Sequence, residues 1–321
     1  MKRAFLFLLF ISTSALAQTE RPARSFALRG ESPRFWELID HNAQLERMAT
    51  GFGFTEGPVW DPSGFVYVSD EEQNMIYRVY ADGRREELIA LGDPDGNTYD
   101  KDQKLIDCAS VLRAIIRIEA NGRYAVLADR FEGKRFNSPN DVVSKRNGDI
   151  YFTDPPGLYR NYPEGAAGAP KQELDFNGLY RITAAGKLDL LARDIPFPNG
   201  LAFSPDEKKL YVSNTRPEKK WMVYDVKPDG GIANGKVFLD MTKEPGEGVP
   251  DGMKVDEEGN LYATGPGGVL VVSAKGKHLG TIQLPETPSN CAFGDADGQT
   301  LFITARTSVY RIRLKVAGRL P

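Results

Sequence analysis

The sequence has 321 residues, with 41 Lys and Arg against 44 Asp and Glu, and a formal net charge of −3 at pH 7. That balance argues against nucleic acid or an anionic membrane surface as the main partner. The two histidines leave little material for a mechanism that uses a histidine base, and the two cysteines could pair in an oxidising compartment but are too few for a disulfide framework.

The first eighteen residues have the pattern of a secretory signal peptide. Lys2 and Arg3 precede the apolar run AFLFLLFI, and a stretch of small residues ends at Ala17. The run is too short to cross a bilayer, and no later segment is long and apolar enough to do so. We therefore expect residues 1–18 to be removed and residues 19–321 to form one exported domain, periplasmic or secreted. A buried N-terminal strand or helix is the alternative.

Six segments of the remaining chain share one pattern. Each begins with an acid or an amide, continues through a short apolar stretch and a turn rich in Asp, Gly, Asn and Pro, and ends in an alternating strand. The segments are TEGPVWDPSGFVYVSD, PDGNTYDKDQKLIDCA, PNDVVSKRNGDIYFTD, PNGLAFSPDEKKLYVSN, PDGMKVDEEGNLYATG and SNCAFGDADGQTLFITA. Alternating apolar residues around such turns are typical of β-hairpins.

Repeats of this length, with about four strands each, predict an all-β fold, a six-bladed β-propeller. The residues that lead the six segments are Glu56, Asp95, Asn140, Asn199, Asp251 and Asn290. Helical periodicity appears in the exported part only near Phe35 to Ile39. The stretch QLERMA before the first repeat is expected to complete the last blade, VYRIRLKV, so that no sheet edge stays open. A pair of β-sandwiches is the alternative fold.

The first strand of each propeller blade lines the central channel, so the six leading residues are expected to converge on the axis. Carboxylate and amide oxygens, without His or thiolate, suit Ca²⁺ or Mg²⁺ better than zinc. Glu56 and Asp251 would neutralise a divalent cation, while Asn140 and Asn199 would add neutral oxygens. Any one Asp or Asn can instead begin a turn, but Glu56 is a poor turn residue. The sequence therefore predicts a central metal site.

Further polar residues end the second strands of three hairpins, namely Asp70, Asp154 and Asn214. They are expected either to orient the metal ligands or to cap solvated turns. The segment from Pro155 to Phe176 lengthens the third blade and could cover the mouth of the site. Motifs of other hydrolases and of dinucleotide binding, such as G-x-S-x-G, H-E-x-x-H and G-x-G-x-x-G, do not occur.

The chain resembles the gluconolactonase/regucalcin family of six-bladed propellers over nearly the whole exported part. The motifs that carry the resemblance are FTEGPVWD, ADRFEGKRFNSPNDVV, IYFTDPPGLY, PNGLAFSPDEKKLYVSN, PDGMKVDEEGNLY and NCAFGDADGQTLFITA. The resemblance implies one divalent cation, usually calcium, bound by Glu56, Asn199 and Asp251. Asn140 is implied as a ligand or a substrate contact, and Asp251 as a general base too.

The function implied is hydrolysis of a small lactone, such as a sugar lactone, by a calcium-dependent lactonase. Regucalcin-like members grip substrate with an Arg where this chain has Ser138, so the substrate contacts expected here are Asn140, Asp154 and the nearby Arg135. A phosphotriesterase on the same site and a propeller that binds a ligand without catalysis are the alternatives. The sequence leaves the physiological substrate and the oligomeric state open.

Overall fold

The computed structural model describes residues 24–157 and 171–320, and it arranges them as six antiparallel sheets around a common axis. The predicted signal peptide lies outside the described residues, so its cleavage and the export of the protein stay predictions. Residues 158–170 of the expected covering loop also lie outside them. The six sheets confirm the prediction of a six-bladed β-propeller.

Blades 1 to 3 follow one another along the chain, and their strands are given from the axis outward. Blade 1 consists of Thr55–Asp61, Phe65–Asp70, Met75–Tyr80 and Arg85–Ala90. Blade 2 consists of Pro94–Tyr99, Leu105–Ala109, Ala114–Ile118 and Tyr124–Ala128. Blade 3 consists of Val142–Ser144, Ile150–Asp154, Gly178–Ile182 and Leu188–Ala192.

The last blade takes its outermost strand from the N-terminal part of the chain. Blade 4 consists of Pro198–Phe203, Lys209–Asn214, Lys220–Val226 and Ile232–Asp240. Blade 5 consists of Met253–Val255, Leu261–Gly265, Gly268–Val272, His278–Gln283 and a fifth strand, Ala27–Gly30. Blade 6 consists of Pro288–Gly294, Thr300–Ala305, Ser308–Arg313 and Leu45–Thr50. The pairing of Leu45–Thr50 with Ser308–Arg313 closes the ring as predicted.

Two short elements of the described ranges lie outside the blades. An α-helix over Pro33–Leu38 begins after Ser32, whose hydroxyl accepts the backbone N–H of Arg34, and it matches the helical periodicity seen in the sequence. A hairpin pairs Arg130–Phe131 with Lys134–Arg135. No helix in the described ranges is long and apolar enough to span a bilayer.

The apolar core is divided among the contacts between neighbouring blades. Between blades 2 and 3, for example, Ile106, Phe136 and Phe152 are fully buried, and the two phenyl rings meet edge to face at 5.2 Å. Each such side chain contributes roughly 1.5–3 kcal/mol by leaving water. Cys108 and Cys291 lie in separate core clusters and are free thiols, so the disulfide that the composition allowed is not formed. Burial raises the pKa of the Cys291 thiol to about 12.

The first strands approach one another so closely at the axis that a side chain would not fit at several places. A Cβ on Gly252 would lie 1.9 Å from Cγ of Asn290, and a Cβ on Gly57 would lie 2.1 Å from the carbonyl oxygen of Asp95. Gly57 also has a φ of +49°, which favours glycine. Both glycines directly follow a leading residue of the repeat, so the glycine is required by contact with the next blade.

Asp107 in the second strand of blade 2 is an exception to the apolar pattern of the blades. The five equivalent residues are apolar: Val68, Phe152, Val212, Ala263 and Ile303. Asp107 is fully buried, and neither carboxyl oxygen has a hydrogen-bond partner among the described residues. Burial raises the pKa of Asp107 well above its usual range, and the nearby backbone of Asp95 offsets this only in part. The folded protein therefore holds this acid in its protonated form over a wider pH range.

We predict that Asp107→Val increases the free energy of unfolding at pH 7 by about 1–3 kcal/mol, since a buried polar group without a partner costs that much. The gain should grow as the pH rises above about 4, because the unfolded chain ionises this acid there whereas the folded chain keeps the proton. Urea unfolding between pH 4 and pH 8 measures it. Asp107→Asn, which keeps the shape, should remove the pH-dependent part; a variant less stable than the wild type would contradict the prediction.

Candidate metal centre

A cavity of about 280 Å³ opens at one end of the axis, and the four predicted metal ligands all line it. These residues are Glu56, Asn140, Asn199 and Asp251. They come from the segments that enter the first strands of blades 1, 3, 4 and 5, so the repeat brings them together from positions far apart in the sequence. Asp95 of blade 2 lines the same cavity.

Asn290 of blade 6 supports the site from beneath it. Its Nδ2 donates to Oε2 of Glu56 at 3.0 Å, and the backbone N–H of Gly57 donates to the same oxygen at 2.8 Å. Its own Oδ1 accepts the backbone N–H of Cys291 at 2.9 Å, which fixes the amide orientation. Asn290 is 2% exposed and does not line the cavity. It therefore positions the Glu56 carboxylate.

A second amide is oriented by an acid of the neighbouring blade. Nδ2 of Asn140 donates to Oδ2 of Asp95 at 2.7 Å, and the backbone N–H of Gly96 donates to the carbonyl oxygen of Asn140 at 2.7 Å. Because the amide nitrogen is used by Asp95, the side-chain oxygen of Asn140 is the atom suited to bind a cation. The two blades are thus joined directly at the site.

Two acids that were not predicted as ligands complete an oxygen-rich group. Carboxylate oxygens of Glu56, Glu71 and Asp95 all lie within 4.8 Å of one another, and all three residues are buried. Two oxygens bound to one calcium ion at 2.3–2.6 Å can be no more than roughly 4.6–5.2 Å apart, so these residues fit such an ion. Glu71 follows the second strand of blade 1 in the run YVSDEE. It was not predicted as a ligand, because the repeated pattern marks only Asp70 at the end of this strand.

Each acid of this group makes ionisation of the others less favourable. Burial raises the pKa of Asp95 well above its usual range, and the charges of Glu71, Glu56 and Asp251 act in the same direction. Like charges at this distance in a poorly solvated site favour neutralisation by a proton or a cation. A divalent cation would relieve the repulsion without a proton on any of these acids.

The segments that carry the ligands are held by a repeated hydrogen bond. In blades 1, 3 and 4 the last residue of the second strand accepts the backbone N–H of the residue two positions before the ligand. These bonds run from Phe54 to Asp70 (3.2 Å), from Ser138 to Asp154 (2.7 Å) and from Phe197 to Asn214 (2.9 Å). All three side chains are buried, so the alternative that they cap solvated turns is wrong, and they hold the backbone segments that carry the ligands.

The structure does not support direct substrate contact by Asp154 or Arg135. Asp154 is fully buried, accepts backbone N–H groups of Asn137 and Ser138, and does not line the cavity. Burial raises the pKa of Asp154 to about 7, although these hydrogen bonds favour its charged form. The Arg135 side chain donates to the carbonyl oxygen of Leu112 and also lies outside the cavity wall. Both residues shape the preceding loop, in which Ser138 is the residue that reaches the cavity.

Hydroxyl groups of one blade hold the ligand-bearing strand of the next. Oγ1 of Thr153 donates to the carbonyl oxygen of Asn199 at 2.8 Å, and Oγ of Ser213 donates to that of Asp251 at 3.0 Å. These donors lie one residue before the end of the second strand, directly beside Asp154 and Asn214. The backbones of Asn199 and Asp251 are thus each held by a hydroxyl group of the preceding blade.

The wall above the acids contains apolar residues and one basic residue. Pro155, Pro156, Phe197 and Val249 line it, and the guanidinium of Arg216 lies over the Phe197 ring, 4.5 Å from its centroid. Arg216 was not predicted, because it follows the second strand of blade 4 at a position that the repeat does not define. The cavity is therefore acidic at its base and partly apolar at its mouth.

Comparison with known proteins gives concordant matches. The profile of the family described as SMP-30/Gluconolactonase/LRE-like region matches residues 54–307. A gluconolactonase of Zymomonas mobilis is 37% identical over 310 residues, which cover 89% of this chain and 86% of the relative. The structure of a gluconolactonase from Xanthomonas campestris has a TM-score of 0.82 at 33% identity and covers 92% of this chain and 99% of that chain. A calcium-binding regucalcin from Agrobacterium tumefaciens shares the fold, with a TM-score of 0.70 at 21% identity, over 92% of this chain and 96% of that one.

We predict that a divalent cation stabilises the folded protein, because it relieves repulsion that the unfolded chain does not have. A ligand that binds the folded state alone adds about 2.7 kcal/mol at roughly a hundredfold excess over Kd, which corresponds to several degrees in Tm. Thermal melts with chelator and with calcium or magnesium measure it. Glu56→Gln should reduce the shift, whereas Glu87→Gln, an exposed acid of the same blade, should not. An unchanged Tm across the titration would exclude the site.

Proposed function

Because this chain belongs to the SMP-30/gluconolactonase/LRE-like family, we propose that it is a calcium-dependent lactonase that opens a small sugar lactone by hydrolysis. The convergence of Glu56, Asn140, Asn199 and Asp251 on one cavity carries the proposal. The cavity volume of about 280 Å³ is near the lower end of the range for small-molecule sites, roughly 300–1,000 Å³, which favours a small substrate.

Glu56, Asn140, Asn199 and Asp251 are proposed to hold the cation, with Asp95 and Glu71 close enough to contribute. When bound, a divalent cation acts as a Lewis acid that polarises a carbonyl group. The protein's own part is to keep these oxygens in place. Asn290 and the backbone of Gly57 orient Glu56, and Ser213 fixes the backbone of Asp251.

Asp251 is proposed as the general base. It is partly exposed and lines the cavity, so water and substrate can reach its carboxylate. The carboxylate takes a proton from the attacking water, the water oxygen bonds to the carbonyl carbon, and the ring C–O bond breaks. The proton then returns to the departing alkoxide oxygen, so that the product is the open hydroxy acid. Water supplies the atoms that the product gains.

We predict that Asp251→Asn retains part of the metal affinity but loses about 10²–10⁴-fold in kcat, since a positioned general base contributes that much. Glu56→Gln should act mainly through affinity, because its carboxylate is a ligand and takes no proton in the reaction. Excess calcium should therefore restore much of the rate of Glu56→Gln and little of the rate of Asp251→Asn. Both substitutions remove one negative charge, so each controls for the other.

The measurement is lactone hydrolysis at saturating calcium, followed by acid release on a panel of aldono-lactones. The wild type should lose activity with chelator and recover it with calcium. Equal rescue of the two variants by calcium would make Asp251 a ligand alone. A wild type that cleaves no lactone of the panel with calcium bound would refute the proposed function.

A further inference from the structure

Arg216 is the one basic residue among the described residues that line the cavity. It forms no ion pair or hydrogen bond with any described residue, and its contact with Phe197 is through the face of the guanidinium. A salt bridge between an exposed arginine and a nearby acid usually adds little to stability. Arg216 lies at the mouth of a cavity whose base is acidic, and no described acid is paired with it. Its charge is therefore available to a ligand.

Phe197 makes a rigid support for this guanidinium. The ring is 4% exposed, and the backbone N–H of Phe197 is bound to Oδ1 of Asn214 at 2.9 Å. Stacking occupies the flat face of the guanidinium and leaves the N–H groups at its edge for hydrogen bonds. Phe197 also lies two residues before the proposed ligand Asn199, so the position of Arg216 is tied to the metal centre through one short segment.

The charges of the cavity restrict where an anionic group can be placed. Five carboxylates line the cavity, and these are Glu56, Glu71, Asp93, Asp95 and Asp251. One divalent cation offsets two of these charges, and two more remain even when Asp95 is protonated, so the described part of the base stays negative when the metal is bound. An anionic group of a substrate would be repelled from this base. Arg216 offers the one cationic position on the described wall.

We propose that Arg216 selects lactones that carry an anionic group, a carboxylate, phosphate or sulfonate, at the end of the molecule remote from the ester. This inference rests on the proposed function, which places the ester at the acidic base. A guanidinium can bind any of these three groups through two parallel N–H···O bonds. Arg216 is thus a specificity-determining residue that binds the substrate and does not act on the reacting bond.

The test compares Arg216→Gln and Arg216→Lys with the wild type on three substrates at saturating calcium. The substrates are glucono-lactone, glucaro-lactone with its remote carboxylate, and 6-phosphoglucono-lactone. The ratio of kcat/KM for each anionic lactone to that for glucono-lactone should fall about ten- to hundredfold in Arg216→Gln, as expected for loss of charged hydrogen bonds. The change should lie mainly in KM. Arg216→Lys should keep part of the preference, because a lysine supplies charge without paired donors.

Arg193→Gln is the matched control. Arg193 is also exposed and stacked near a phenylalanine, Phe176, at 6.0 Å, but it does not line the cavity. Its replacement should leave the substrate ratio unchanged. A ratio that stays the same in Arg216→Gln, or that falls equally in Arg193→Gln, would overturn the inference. Comparison of the two anionic lactones shows whether a carboxylate or a phosphate is preferred.

A binding measurement separates this inference from the proposed function. Calorimetric titration of the calcium-loaded protein with glucose 6-phosphate and with glucose requires no ester. The wild type should bind the phosphate more tightly, and Arg216→Gln should lose that difference. If the difference is present while no lactone is cleaved, the proposed reaction is wrong and the anion site stands. If lactones are cleaved without any such difference in binding or rate, the inference about Arg216 is wrong.

Discussion

The close approach of six strands at the propeller axis is the constraint on which the rest of the structure depends. Where Gly57 meets the backbone of Asp95, and where Gly252 meets Asn290, there is no room for even a methyl group. The residue before each glycine is consequently brought into a small shared volume with its equivalents from other blades. The packing that closes the ring is thus the same packing that gathers the acids and amides, and neither could change without the other.

Gathering so many oxygens has an energetic consequence for the fold. Asp95 is buried among other carboxylates, and both its burial and their charges raise its pKa. Hydrogen bonds from Asn290 to Glu56 and from Asn140 to Asp95 offset part of it. The repulsion between carboxylates that remains favours cation binding, because a bound cation removes it.

The repeat made the fold and five of the cavity residues predictable, since Glu56, Asp95, Asn140, Asn199 and Asp251 occupy one register of one pattern. Glu71 and Arg216 could not be found in that way, because both lie in connections after second strands, where length and conformation differ among blades. Gly57 and Gly252 are required by contacts between blades, which the repeat does not reveal. Spacing along a sequence reports pairing within a blade, but it does not report how far neighbouring blades stand apart.

The strands of blade 6 come from both ends of the chain, which affects when the propeller can be completed during synthesis. Its outermost strand, Leu45–Thr50, is among the first segments to be synthesised, and its partner Ser308–Arg313 is among the last. The ring of blades therefore cannot close until translation is almost complete. Glu56 would emerge long before Asp251, and the two can meet only after four further blades have formed between and beside them. The four proposed ligands are accordingly brought together only after most of the chain has been made.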